Sequence, residues 1–131
     1  MNFSSHSDNP VHYASTVRIQ SDVMPGVSYT VYRMSFARRM ELLRMIRDVG
    51  AKLNYLEASH DFVEKVEANL LSQSIDELYL KWGLVAVHSL SIDGEPASSG
   101  SLLANGPDEL AREIVEAIKA QCGLSEEERK N

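Results

Sequence analysis

The first part of the chain alternates apolar and polar residues with a period of two. Val27, Tyr29 and Val31 alternate with more polar neighbours, which is typical of a half-buried strand. A shorter segment at 16–21 has similar character, and Met24-Pro25-Gly26 between the two supplies turn residues. The pattern therefore predicts an N-terminal β-hairpin.

After Ser35, a good N-cap residue, the period becomes helical. Apolar residues recur three and four positions apart over more than five turns, which predicts a long helix with a broad apolar stripe. The stripe consists of Phe36, Met40, Leu43, Ile46, Val49, Leu53 and Leu56. Arg39 points toward this stripe. On the other side, the spacing of Glu41, Arg44, Asp48 and Lys52 allows ion pairs.

A second helix is predicted from residue 62, because Asp61 and Glu64 resemble a capping arrangement. Its apolar face shifts partway along, and Ser74-Ile75-Asp76-Glu77 has the pattern of another capping box. Two interpretations stay open: one long helix through Trp82, which we favour, or two helices broken near residues 72–74.

Turn residues organise the last third of the chain. Residues 84–87 either prolong the second helix or begin an extended segment. The turn residues Asp93-Gly94 predict a small hairpin over residues 90–96. The loop that follows has room for one helical turn at Leu102-Leu103. Pro107 is suited to begin a C-terminal helix that Gly123 ends. The expected fold class is α+β, with an N-terminal β-hairpin, two or three long helices, a second small hairpin and a C-terminal helix.

A length of 131 residues favours one domain. We expect a mobile leader over 1–14, a single α+β domain over 15–124 and an exposed tail over 125–131. No apolar run approaches the length of a membrane span, and the single Cys122 is compatible with a reducing cytoplasm. The chain is therefore expected to be cytoplasmic and without membrane contact.

The net charge of −6 is unevenly distributed. Residues 33–52 carry six basic and two acidic residues, whereas 53–131 carry six basic and fifteen acidic residues. The overall acidity argues against nucleic-acid binding, which needs phosphate neutralisation. The basic segment is either an ordinary solvated surface or a surface that pairs with an acidic partner or with the acidic part of another copy.

Residue patterns for catalysis are missing from the sequence. The four histidines and the cysteine have no metal-ligand spacing, and the scattered glycines do not form a phosphate-binding loop. Adjacent acidic pairs such as Asp76-Glu77 point in different directions on a helix. We expect neither an enzyme nor a bound metal or cofactor.

Three segments resemble small tail assembly chaperones of long-tailed, siphovirus-like phages and prophages. The similarity covers residues 16–131 and is carried by VSYTVYRMSFARRMELLRMIRDVG, ELYLKWGLVAVHSLSIDGEPA and ANGPDELAREIVEAIKAQCGLSEEERKN. It is a pattern of short phrases with no invariant catalytic signature.

The resemblance implies a non-enzymatic protein of the host cytoplasm that binds the helical tape measure protein until the tail tube polymerises. It also implies self-association and, in an extended form, contact with the tail tube protein. Residues expected to contact the client are Phe36, Arg39, Met40, Leu43, Tyr79 and Trp82. A structural tail or connector component, or a bacterial protein-binding adaptor, are the alternatives.

Overall fold

The computed structural model describes residues 9–123. Within this part, the elements in chain order are β1 (Thr16–Gln20), β2 (Ser28–Tyr32), α1 (Phe36–Glu57), α2 (Phe62–Gly83), β3 (Leu84–His88), β4 (Ser91–Ile92), β5 (Glu95–Pro96), α3 (Ser99–Asn105) and α4 (Asp108–Gln121). The predicted α+β class is confirmed. The tail expected at 125–131 and most of the leader lie outside the described residues.

The predicted N-terminal hairpin forms, and a third strand extends it. β1 pairs antiparallel with β2 in a register that places Val17 opposite Val31, and β3 adds antiparallel to the other side of β2. Central β2 is therefore the most buried strand, with Tyr29 and Val31 almost inaccessible. A hydrogen bond of 2.8 Å between Thr30 Oγ1 and His88 Nε2 ties β2 to β3.

The turn between β1 and β2 is fixed to α4 by one carboxylate. Glu113 accepts hydrogen bonds from the Ser21 hydroxyl at 2.6 Å and from the Asp22 amide at 2.7 Å. Ser21 Oγ in turn accepts from the Met24 amide at 3.0 Å. Bonds to an ionised acceptor are stronger than neutral ones, so Glu113 orients the hairpin on α4.

α1 and α2 form a long antiparallel helical hairpin of two 22-residue helices. The predicted caps are present: Ser35 accepts from the Arg38 amide, and Asp61 accepts from the Glu64 amide. α2 is continuous from Phe62 to Gly83, which decides the open question in favour of one helix. Both helix starts follow from local capping chemistry.

After α2 the chain follows the extended alternative that the sequence left open. Residues 84–88 form β3, and the predicted small hairpin is confirmed as β4–β5. Between Ser99 and Asn105 the chain forms a seven-residue helix, longer than the single expected turn. Ser98 and Ser101 cap it reciprocally, an arrangement that satisfies the amide groups of its first turn.

The core lies where α4 packs between α2 and the sheet. Leu110, Ile114 and Ile118 of α4 are fully buried, as are Leu80 of α2 and Leu102 of α3. α1 packs mainly on α2, whereas α2 also contacts α3, α4 and β3. At the distal end of the helical hairpin, where α1 ends and α2 begins, Leu53, Leu56 and Ala68 are buried.

Gly83 is required by packing against α4. A Cβ placed there would lie 2.6 Å from Cγ2 and 2.9 Å from Cδ1 of Ile118, whose side chain is fully buried and has no room to move. Overpacking of this kind costs on the order of 1–3 kcal/mol. We expect Gly83→Ala to lower the free energy of unfolding by that amount in urea titrations.

A double-mutant cycle with Ile118→Ala checks this cause, because Ile118→Ala removes the Cγ2 and Cδ1 atoms that a Cβ at position 83 would overlap. The two substitutions together should then destabilise the chain by less than the sum of their separate effects. Gly94→Ala is not a suitable control, since Gly94 has a positive φ. Gly100→Ala is suitable, because a Cβ there meets no atom closer than 3.9 Å. Equal effects of Gly83→Ala and Gly100→Ala would contradict the packing explanation.

Candidate protein-binding surface

The core-facing side of α1 differs from the predicted stripe in the first half of the helix. Leu42 is buried, Arg38 and Met45 are half-buried, and Leu43 is 52% exposed. The second half follows the prediction, with Leu53 and Leu56 buried. The prediction was wrong at the N-terminal end because an arginine occupies a core-facing position there.

Three apolar side chains of α1 are left on the outer surface. Phe36 is 85% exposed, Met40 is 40% exposed and Leu43 is 52% exposed. At 100° per residue they fall within a sector of about 60°, centred about 130° from the buried side of the helix. We call Phe36, Met40 and Leu43 the α1 face.

Cationic side chains surround the α1 face. On the helical projection Arg39 lies on one side of it, Arg44 lies on the other, and Arg47 continues it by one turn. We call Arg39, Arg44 and Arg47 the arginine rim. The expected ion pairs of Arg44 do not form among the described residues: Glu41 accepts the Trp82 indole N–H at 3.0 Å, and Asp48 lies 3.4 Å from Arg47.

The neighbouring Arg38 points inward and joins three elements. Its guanidinium lies 3.9 Å from the ring centroid of Tyr32 and 4.4 Å from that of Trp82, and it donates to the Trp82 carbonyl. This carbonyl belongs to the last turn of α2, where the helix dipole favours a cation. Nε of Arg38 is buried without a partner in the described part of the chain.

Arg39 makes a similar contact with the end of α4. Its Nη2 donates to the Cys122 carbonyl at 3.2 Å, although the side chain as a whole is exposed. Two consecutive arginines of α1 thus bind the C-terminal carbonyls of two other helices. Part of the basic charge in this segment therefore serves the fold, a role that charge counting had not identified.

The six residues predicted to contact a client are separated by the fold. Phe36, Met40 and Leu43 are on the surface, and Arg39 lies beside them. Trp82 is half-buried between Arg38 and Glu41, and Tyr79 is only 2% exposed. Tyr79 belongs to the core, so its inclusion was a wrong prediction caused by the shared helical spacing of core and surface positions.

A second apolar surface lies on the distal half of α2. Phe62 is 77% exposed, Val63 is 63%, Val66 is 44% and Leu70 is 65%. On the helical projection these four, which we call the α2 face, lie roughly opposite Ala68, Ile75 and Tyr79. The shift of the apolar pattern partway along the predicted second helix falls near Leu70-Leu71, and it was the available sequence signal for this face.

An open cavity of about 330 Å³ lies between α2, α3 and α4. Leu80, Leu102 and Val115 contribute apolar lining, and its acidic side chains are neutralised by ion pairs. These pairs are Asp76 with Lys119 at 3.1 Å, Glu77 with Lys81 at 2.9 Å and Asp108 with Arg112 at 2.7 Å. Because each charged side chain in the lining is paired with another side chain of the protein, the exposed helical faces are the stronger candidate site.

Over residues 9–123, histidine, cysteine and acidic side chains form no group of three suited to hold a metal ion. No helix in that range is long and apolar enough to span a membrane.

Comparisons with protein-family models, with curated proteins and with solved structures find no match. The surface geometry and the resemblance of the sequence segments therefore carry the functional argument.

The core beside these faces contains three titratable groups that burial keeps protonated. Burial raises the pKa of the Cys122 thiol from 9.0 to about 11, and it raises the pKa of the Tyr29 and Tyr79 hydroxyls from 10.0 to about 12. Because the pKa of each group is higher in the folded chain than in the unfolded chain, the protonated group contributes to the free energy of unfolding. This contribution is complete below the pKa of the group in the unfolded chain, and it is lost as pH rises through its pKa in the folded chain.

We therefore expect the free energy of unfolding to fall progressively from about pH 9 to pH 12, as measured by urea titration at each pH. Cys122→Ala should remove the part of the decrease in the free energy of unfolding that begins near pH 9. The part that begins near pH 10, which comes from Tyr29 and Tyr79, should remain. A stability that stays constant from pH 8 to pH 11 in the wild-type chain would contradict this account.

Proposed function

We propose that this chain is a non-enzymatic tail assembly chaperone of a long-tailed phage or prophage, acting on the tape measure protein in the host cytoplasm. The observation that carries the proposal is where the exposed apolar side chains lie. Among residues 9–123, thirteen large apolar side chains are exposed, and eight of them belong to α1 and α2. A monomeric domain rarely concentrates such residues without a binding role.

The exposed faces suit a helical client. Amphipathic helices bind through residues spaced at i, i+3, i+4 and i+7, and both the α1 face and the α2 face have this spacing over about two turns. Each face is small compared with the roughly 800 Å² per partner of a stable interface. A single copy is therefore expected to bind weakly, which suits a chaperone that must release its client.

An elongated client has room for many copies of a small chaperone. Self-association of the chain along the client is accordingly part of the proposal. So is contact with the tail tube protein when tube subunits replace the chaperone on the tape measure protein. Weak individual contacts combine into high avidity when several copies bind one chain. This arrangement reconciles small binding faces with effective protection of a long apolar helix.

The proposal predicts that a tape measure gene lies beside the gene for this chain, and co-expression with the product of that gene is the experiment that tests it. The soluble fraction of the tape measure protein should rise with this chain and fall without it. Mass spectrometry of purified tails provides a second result: a chaperone should be missing from them, and a structural component should be present. A client that is equally insoluble with and without the chain would contradict the proposal.

A further inference from the structure

We infer that the α1 face selects an amphipathic helix whose apolar stripe is flanked by acidic residues. The inference rests on the proposed binding of a helical client and adds the chemistry by which the client is recognised. Its basis is the juxtaposition of three exposed apolar side chains with three guanidinium groups on one side of α1.

The apolar part of the surface provides contact without selecting charge. Phe36, Met40 and Leu43 span about two turns, which equals the contact length of two crossing helices. Methionine and phenylalanine adapt to varied apolar partners, since methionine is flexible and phenylalanine supplies a large area. These three residues alone would accept any amphipathic helix of suitable spacing.

The arginine rim makes the surface selective. Residues 36–47 include Arg38, Arg39, Arg44 and Arg47 and only one acid, Glu41. Glu41 lies about 130° from the centre of the α1 face on the helical projection, where it accepts from the Trp82 indole, and Arg38 is turned inward. The charge presented beside the α1 face is therefore that of the rim.

The contacts that the rim already makes are weak. Arg47 and Asp48 form an ion pair at 3.4 Å with side chains 74% and 89% exposed, and exposed pairs of this kind contribute little. Among the described residues, Arg39 uses one of the five N–H donors of its guanidinium, in the bond to the Cys122 carbonyl. Planar guanidinium groups bind carboxylates in a bidentate geometry, which favours glutamate or aspartate on the partner helix.

The other large exposed surface has a different charge. The α2 face lies among Asp61, Glu64, Lys65 and Glu67, which together are net acidic. An acidic helix is therefore directed to the α1 face and away from the α2 face, whereas a basic helix has the opposite preference. The two faces are predicted to bind different segments.

The test uses two fluorescein-labelled synthetic helical peptides with identical leucine stripes, one flanked by glutamates and one by lysines. Fluorescence anisotropy with the full chain should show the glutamate peptide binding at least tenfold more tightly at about 50 mM salt. This advantage should shrink at about 500 mM salt, because rim charges are screened. Equal affinities for the two peptides would overturn the inference.

Matched variants locate the selectivity. Arg44→Glu/Arg47→Glu should abolish or invert the preference, whereas Lys52→Glu/Lys81→Glu makes the same charge change at exposed positions outside both the α1 face and the α2 face and should preserve it. Circular dichroism checks that both variants are folded. Selectivity that persists in Arg44→Glu/Arg47→Glu would overturn the inference.

Two further outcomes are distinguishable. If sedimentation shows self-association that Arg44→Glu/Arg47→Glu abolishes and that excludes the peptide, the face belongs to a second copy and the inference is wrong. If both peptides bind equally while co-expression still solubilises the client, the charge selection fails and the chaperone proposal stands. If co-expression has no effect while the glutamate peptide binds selectively, the chaperone proposal fails and the selection stands.

Discussion

Arg38→Ala is expected to lower the free energy of unfolding by about 2–3 kcal/mol. The substitution removes a guanidinium stacked between Tyr32 and Trp82, each such contact contributing about 0.5–2 kcal/mol when desolvated. It also removes a charged hydrogen bond to the Trp82 carbonyl, for which about 1.5–3 kcal/mol is typical. The sum is reduced because the buried Nε of Arg38 has no hydrogen-bond partner within residues 9–123, and the substitution relieves its desolvation.

Urea unfolding followed by the fluorescence of Trp82 measures this effect, since Trp82 is the single tryptophan. Arg38→Lys should recover only a minor part of the loss, because an ammonium group does not stack as a plane between two rings. Arg39→Ala is the matched control, with an expected loss of about 1 kcal/mol or less for an exposed side chain with one neutral acceptor. If Arg38→Ala were no more destabilising than Arg39→Ala, the assigned role of Arg38 would be wrong.

Local signals predicted the elements well. Ser35 and Asp61 begin helices because their side chains accept N-terminal amides, and Asp93-Gly94 provides the positive φ values that the second hairpin needs. These effects act over a few residues, so they can be read from the sequence without the tertiary structure. The N-terminal hairpin and the C-terminal helix were predictable for the same reason.

The side of each helix that packs was harder to predict. Leu42 and Leu43 are adjacent and equally apolar, and the choice between them depends on where α2 and α4 lie. The aromatic contacts of Arg38 come from β2 and from the end of α2, 44 residues away for Trp82. Such contacts are long-range, so periodicity within one helix carries no information about them.

The candidate site was therefore predicted in part. Phe36, Met40 and Leu43 were chosen as contacts, but for a stripe that was expected to continue into the core. The α2 face was missed, because Phe62, Val66 and Leu70 follow a regular helical spacing that is also typical of core residues. An apolar stripe that no element of the domain covers becomes visible only when the packing of the whole domain is known.

Phe36→Ser/Leu43→Ser is expected to abolish most of the solubilisation of the client by this chain and to leave the chain folded. The two side chains are 85% and 52% exposed, so their truncation removes little buried area. Exposed substitutions of this kind usually change stability by less than about 0.5 kcal/mol. A helical client would lose two of the three apolar contacts of the α1 face, for which a reduction in affinity of tenfold or more is expected.

Val11→Ser/Val23→Ser is the matched control, because these valines are 95% and 44% exposed and lie outside both helices. It replaces two exposed apolar side chains by serine at positions outside the α1 face and the α2 face. The control should retain the solubilising effect of the wild-type chain.

The most direct test of the binding role is the soluble fraction of the tape measure protein, measured in parallel with the wild-type chain, with Phe36→Ser/Leu43→Ser and with Val11→Ser/Val23→Ser. The account predicts a high soluble fraction with the wild type and the control, and a fraction close to that without chaperone for Phe36→Ser/Leu43→Ser. Equal soluble fractions with all three chains would contradict it.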